Sequence, residues 1–224
     1  MSTVDRTPQQ ALRTASPVPP SPVRRTLDVT VALALLIALA PVLTLLALLV
    51  GATSGRPVVF RQRRVGEGAA EFTLYKFRSM RAGCAGPGVT GGADARVTRT
   101  GRLLRRLSLD ELPQLWNVLR GDMTLVGPRP EVPHLAERYP PEHRWVFRHR
   151  PGLTGPCQLR SRAYAAALDG RPDPEQYYLT VLVPQRVALD REFLAHPTVG
   201  NVLRFTARTV VYVVSALRRR GGRS

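Results

Sequence analysis

Residues Val29 to Val50 form an uncharged, strongly apolar run that any fold of this chain has to accommodate. A helix of that length, at roughly 1.5 Å per residue, can cross a bilayer core of about 30 Å. Two features argue against a plain crossing. Pro41 sits in the middle, where a proline removes a backbone hydrogen bond and kinks a helix. Both flanks are basic, with Arg24 and Arg25 before the run and Arg56, Arg61, Arg63 and Arg64 after it. Positive flanks are held on the cytoplasmic side, so both ends are drawn the same way. A broken helix that enters and returns satisfies both constraints. The flanks and the proline alone leave re-entry and spanning both open. Residues 1–22 hold five prolines and almost no large apolar side chain, which predicts a disordered tail. The apolar run begins too late, and lacks a cleavage site, for a secretory signal.

The chemistry concentrates in Arg105 to Glu131, RRLSLDELPQLWNVLRGDMTLVGPRPE. Asp110 and Glu111 lie between two groups of arginines. Leu112, Leu115, Trp116, Val118 and Leu119 follow with helical periodicity, Pro113 at the start and Gly121 past the end. The carboxylates therefore fall at or just before a helix N-terminus, an end that suits anions such as phosphate. One reading is a capping box, with Ser108 as cap and Glu111 reaching back. Pro113 counts against a helix starting that early. The other reading makes Asp110 an anionic nucleophile or a metal ligand, with arginines holding a phosphate nearby. Gly127-Pro128-Arg129-Pro130 fits the second, because two prolines fix where a guanidinium suited to phosphate points.

A net charge of +17, from 33 basic and 16 acidic residues, favours a polyanionic partner: nucleic acid, an anionic membrane surface or a phosphorylated substrate. Lys76 is the only lysine, which hints that its site wants a compact ammonium. Strands at Pro57–Phe60 and Phe72–Tyr75, with Arg61 to Gly68 between them, predict a β-hairpin that delivers Lys76. Arg61, Arg63 and Arg64 then read as a solvated or headgroup-facing patch. Residues 82–93 are rich in Gly, Ala and Pro and predict a mobile loop. A short helix follows at Arg102–Leu107. Further helices are expected at 131–149, Tyr177–Phe193 and Thr198–Leu217, the last amphipathic and basic. His134, His143 and His149 lack ligand spacing, and Cys84 and Cys157 lack metal spacing and read as reduced thiols.

Several blocks in order resemble the bacterial sugar transferases, the monotopic phosphoglycosyl transferases. They are Lys76-Phe77-Arg78-Ser79-Met80, Ser108 to Leu115, Gly127-Pro128-Arg129-Pro130 and Arg150-Pro151-Gly152-Leu153-Thr154-Gly155. The resemblance covers nearly the whole chain after residue 23. It departs at Pro156-Cys157 and at Ser161-Arg162, where the family usually has a Gly-Arg pair. With a single apolar segment, the chain looks like the family's short form.

The resemblance implies an α+β, mostly helical, membrane-monotopic protein. Its parts would be a tail over 1–22, a re-entrant helix over 23–56 broken at Pro41, and a cytoplasmic catalytic domain over 57–224 with a small β-hairpin and amphipathic interface helices. It implies transfer of a sugar-1-phosphate from a UDP-sugar to polyprenyl phosphate at the cytoplasmic face of the inner membrane, through an aspartyl-phosphosugar intermediate and with release of UMP, as the first membrane step of exopolysaccharide or glycoconjugate synthesis. Asp110 would be the nucleophile, with Glu111 assisting. Lys76, Arg105, Arg129 and Arg150 would meet substrate phosphates. Mg2+, held by Asp110, would offset diphosphate charge. The expected partners are the two substrates and anionic lipids, with no nucleic acid; a homo-oligomer is left open. Two other classes are weighed beside this one. A membrane-tethered nucleic-acid binder is allowed by charge, but no binding motif supports it. An inactive assembly scaffold is opposed by the intact Asp110-Glu111 pair.

Overall fold

A computed structural model describes residues 16–81, 83, 86 and 88–218. The apolar run folds as two helices, α1 (Pro22–Ala38) and α2 (Ala40–Ser54), bent by 64° about Leu39. Pro41 lies in the first turn of α2. That position tolerates a residue without an N–H, so the missing donor is absorbed by starting a new helix rather than by distorting the old one. No single described helix is long and apolar enough to cross a membrane.

Both ends of this pair are bonded to the same body. Arg25 donates to the carbonyls of Val118 (2.6 Å) and Leu119 (2.7 Å) in the last turn of α4 (Gln114–Arg120), where Val118 O also accepts from Gly121 N (3.1 Å). Asp28, fully buried, accepts from the Thr124 hydroxyl (2.5 Å) and the Leu125 amide (2.9 Å). Arg24 donates to the Val126 carbonyl beside it. At the far end, Ser54 Oγ lies 3.4 Å from Thr98 Oγ1, the cap of α3 (Arg99–Arg106). Leu46 and Val50 of α2 pack with Phe77 and Leu104.

The hairpin pairs β1 (Val59–Val65) with β2 (Glu71–Phe77), antiparallel, with Phe60 opposite Lys76 and Gln62 opposite Leu74. The strands run longer than expected, so Arg61, Arg63 and Arg64 lie within β1 rather than in the turn. The buried side chain of Asn117 docks α4 on the hairpin: it donates to Thr73 O (2.7 Å) and accepts from Tyr75 N (3.1 Å). A strand edge is thus paired by an amide side chain instead of being left open. A second, parallel pair joins β3 (Thr124–Val126) to β4 (Gly152–Thr154). A Cβ on Gly152 would collide with the Gly127 backbone, so glycine permits the close approach that seats the 127–130 loop.

Between β3 and β4 the chain makes α5 (Pro133–Glu137) and a 3-10 run at Pro141–Arg148. Then come α6 (Ser161–Leu168), α7 (Pro174–Tyr177), a π turn at Tyr178–Leu182, α8 (Val183–Ala195) and α9 (Val199–Arg218). Pro184 explains the π turn: it cannot donate to the carbonyl four residues back, and the backbone widens to accommodate it. One core gathers α5, the π turn and α8 around Leu135, Tyr178 and Val183. A second joins α1 to α4, β3 and α9 through Ala32, Leu115, Val118, Val202 and Phe205.

Two expectations need qualification. Residues 1–15 of the expected tail lie outside the described residues, but its end is placed: Val18 N donates to Arg148 O (2.8 Å) and Ser21 caps α1. In the loop over 82–93, Cys84 and three other positions also lie outside the described residues. Val89 there is buried, and Gly88 N donates to Glu175 (2.6 Å).

Candidate active site

A cavity of about 1130 Å³ runs through the protein between the hairpin, α3, the 127–130 loop, α6 and α9. Lys76, Arg105, Asp110, Glu111 and Arg129 all line it. Local sequence explains each placement. Asp110 lies in a 3-10 turn, Leu109–Glu111. Leu109 and Leu112 pack toward α2, which leaves Asp110 facing the cavity, buried and only 6% exposed. Ser108 precedes the turn with φ 55°, a left-handed conformation for a non-glycine residue, and its side chain caps nothing. The capping box is therefore absent, and α4 begins only at Gln114. Backbone strain beside a buried carboxylate is where functional sites store it.

Lys76 arrives from β2 between the Phe60 ring (5.3 Å to the centroid) and Gln62 Oε1 (3.5 Å). Arg105 projects from α3 and donates through Nε to Ser79 Oγ (2.9 Å). Gly101 makes this possible, because a Cβ there would collide with the Ser79 backbone. Arg129 Nη2 pairs with Glu111 Oε1 at 3.0 Å.

Burial first, and the adjoining Glu111 second, push the Asp110 carboxyl up to about 6; Arg105, Lys76 and Arg129 pull the other way. Burial, then Arg64 and Arg105, push Lys76 down to about 7. A carboxylate and an ammonium that change charge close to neutrality, in one cavity, are what proton-sensitive chemistry uses.

Arg150, expected among the phosphate contacts, is not brought to the cavity. It makes a two-pronged pair with Glu67 in the hairpin turn, Nε and Nη2 both 2.8 Å from Oε2. Arg64 moves the other way. Expected in a solvated or headgroup-facing patch, it has a side chain only 13% exposed that lines the cavity and lies 3.6 Å from Glu131. The register shows why: residues 60, 62 and 64 share the Lys76 face of the hairpin, so strict alternation from Lys76 carries Arg64 inward. Arg61 and Arg63 stay exposed, as expected.

Beneath the site lies a polar network the sequence did not disclose. Glu131 accepts from Tyr139 (3.0 Å), from Tyr178 and from Arg186 (3.3 Å). Tyr178 and Arg186 also line the cavity. The one available signal was Pro184, which marks the π turn carrying Tyr178. Cys157 is buried against this network, and burial pushes its thiol up to about 12, so it remains a thiol. His134, His143 and His149 line no part of the cavity.

Asp190, buried behind Cys157, is pushed up to about 7 by loss of solvent, against the pull of Arg186. Its folded value lies above its unfolded one, so the folded form holds the proton longer. The sign is then fixed: its contribution to stability falls as pH rises from about 4 toward about 7. Asp190→Asn should melt at a higher temperature than the parent at pH 8, with the gap closing by pH 4. Thermal melting across that range checks it; a constant gap would contradict it.

For a divalent cation, the donor set decides the fit. Among the described residues no group of three or more His, Cys, Asp or Glu side chains gathers. Mg2+ bound with substrate phosphates needs only one or two carboxylates. Asp110 faces the cavity and accepts no hydrogen bond among the described residues, whereas Glu111 is engaged by Arg129. Asp110 therefore fits a cation whose remaining ligands are phosphate oxygens and water.

The sequence model of the bacterial sugar transferases matches residues 20–216. The chain is similar to the UDP-glucose:undecaprenyl-phosphate glucose-1-phosphate transferase of Caulobacter vibrioides, 41% identical over 207 residues, 89% of this chain and 73% of that protein. It is 47% identical over 145 residues to the undecaprenyl-phosphate glucose phosphotransferase of Komagataeibacter xylinus. It is 40% identical over 159 residues to the UDP-N-acetylgalactosamine-undecaprenyl-phosphate N-acetylgalactosaminephosphotransferase of Aeromonas hydrophila. These two matches cover 61% and 67% of this chain, but only 27% and 37% of the relatives' own lengths. The match over residues 20–216 takes in the bent helix pair, the hairpin and every cavity-lining element, and the chain belongs to the bacterial sugar transferase family.

Proposed function

We propose that this enzyme transfers a sugar-1-phosphate from a UDP-sugar to a polyprenyl phosphate in two steps, at the cytoplasmic surface of the membrane. The observation that carries the reading is a single one. A buried carboxylate that accepts no hydrogen bond among the described residues, Asp110, faces three cations in a cavity that Leu35 of α1 and the bend residue Leu39 also line.

In the first step an Asp110 oxygen attacks the sugar-linked phosphorus. The bond to the bridging oxygen breaks, and UMP leaves with it. In the second step an oxygen of the polyprenyl phosphate attacks the same phosphorus and frees the Asp110 carboxylate. Splitting the transfer suits a site fed from water and from lipid. Lys76, Arg105 and Arg129 offset charge on the phosphoryl oxygens, and the Arg129 pair holds Glu111 beside the nucleophile. Glu111 assists the second step. When bound, Mg2+ at Asp110 supplies further neutralisation of the diphosphate. A UMP-release screen with polyprenyl phosphate and a panel of UDP-sugars tests the reading. Release with at least one sugar supports it, and none with any sugar sinks it.

The same proposal includes re-entry of α1 and α2. It is supported by the bonds from both ends to one body: Arg24, Arg25 and Asp28 at one end, Ser54 at the other. Breaking a buried charged contact such as that of Asp28 costs about 3–5 kcal/mol. Pro41→Leu alone should therefore leave the N-terminus largely inside. Pro41→Leu with Asp28→Ala should move it partly outside. A cysteine near Ser16, in a background lacking Cys84 and Cys157, should then label with a membrane-impermeant thiol reagent on intact cells. Labelling at that site in the parent would show that the segment spans.

A further inference from the structure

Besides the charged groups described above, the cavity is lined by apolar side chains from the helix bend and from α9, with Arg162 of α6 stacked on Tyr212 of α9 (4.0 Å to the ring centroid). Val31, Ala32 and Leu36 of α1 share a core with Val202 and Phe205 of α9. Leu35 of α1 and the bend residue Leu39 line the cavity, as do Val210 and Val213 of α9. Leu35 is 37% exposed and Val210 59%, so this apolar limb is open at the surface. Leu39 is also where α1 bends into α2, and Ile37 and Leu45 on either side of the bend are exposed. Thr209 bonds Thr154 (2.6 Å) and ties α9 to β4.

We propose that this limb is the groove for the isoprenoid chain of the lipid acceptor, with α9 as its second wall. The inference rests on the two-step transfer proposed above and adds where the acceptor lies. Its occupant is a polyisoprenyl phosphate, on the ground of complementarity along one continuous cavity. Leu35, Leu39, Val210 and Val213 line the same cavity as Lys76, Arg105 and Arg129. A molecule with a long hydrocarbon tail and a phosphate head matches that combination of apolar and charged surfaces. A UDP-sugar, polar along its whole length, leaves the apolar limb unfilled. The arrangement also gives the lipid a lateral way in, so its phosphate reaches Asp110 without the tail leaving an apolar surface.

The test uses the full-length enzyme in nanodiscs and separates the groove from mere membrane attachment. Val210→Glu and Val213→Glu place a charge in the limb. Leu203→Glu places one on the same helix, exposed but outside the cavity. The groove predicts that KM for a long-chain polyprenyl phosphate rises at least tenfold in the first two and less than twofold in Leu203→Glu. With a two-isoprene acceptor the Val variants should differ from the parent by less than threefold. A photoreactive polyprenyl phosphate should label peptides from 35–39 and 206–213. Equal KM changes in all three variants, or label confined to α2, would overturn the groove. If a variant fails to fold, labelling of the parent decides alone. Absence of UMP release in the parent would instead defeat the proposed transfer itself.

Discussion

Asp110→Asn should lose turnover by at least about a thousandfold, the scale on which removing a nucleophile acts. The substitution keeps size and shape in a pocket where the side chain is 6% exposed, so the fold should survive. What it removes is the anion. Asparagine also cannot restore the electrostatic balance against Arg105, Lys76 and Arg129. The loss should fall on kcat, because the substrate phosphates would still meet all three cations. Glu111→Gln is expected to be severe but different in kind. It breaks the 3.0 Å pair that holds Arg129 and should spare part of the first step. A steady-state comparison of the two variants with the parent, using UMP release, checks both expectations. An Asp110→Asn enzyme within tenfold of the parent would contradict the role given to this carboxylate.

Lys76→Ala should cost more than about tenfold, because a cation at a developing phosphoryl charge acts in a cavity shielded from water. Lys76→Arg should not restore the parent rate. The ammonium sits between the Phe60 ring and Gln62, with Arg64 and Arg105 already close enough to depress it. A longer planar guanidinium has to be placed elsewhere, and it adds a fork where a point charge fits. Circular dichroism and melting of the purified variants establish that they are folded before rates are compared. Unchanged kinetics in Lys76→Ala would remove the residue from the phosphate site.

How much of this was legible beforehand follows from the range of the interactions involved. The hairpin, the break near Pro41 and the separation of Asp110 from the start of α4 depend on local periodicity, proline and turn residues, and the sequence carries such signals openly. The break itself fell at Leu39, because a proline is comfortable in a first turn. The Arg64 and Arg150 assignments depended on register and on partners far along the chain. Glu67 lies 83 residues from Arg150, and no local pattern announces that pairing. Asp28 illustrates the same limit. It precedes the apolar run by one residue and reads as its polar border. In the fold it is fully buried, and its partners at Thr124 and Leu125 are 96 and 97 residues away. The network under the site, from Glu131 to Tyr139, Tyr178 and Arg186, likewise exists only once α5, the π turn and α8 have packed.

The buried Asp28 contact and the Arg129–Glu111 pair also suggest how anchoring and chemistry are joined. Asp28 holds β3 at Leu125, and β3 runs directly into the loop that carries Arg129. α1 thus braces the strand that leads into the Arg129 loop, so under the proposed function the membrane helix and a phosphate-binding arginine would be mechanically joined.

The central claim is that the phosphosugar passes through Asp110, and one measurement tests it directly. The parent is mixed with a UDP-sugar radiolabelled in the sugar, without any polyprenyl phosphate, then quenched and digested. The account predicts stoichiometric label on the peptide containing Asp110, release of one UMP per labelled chain, loss of the label on adding polyprenyl phosphate, and no label in Asp110→Asn. UMP release that strictly requires the acceptor, with no labelled peptide at any time, would contradict it.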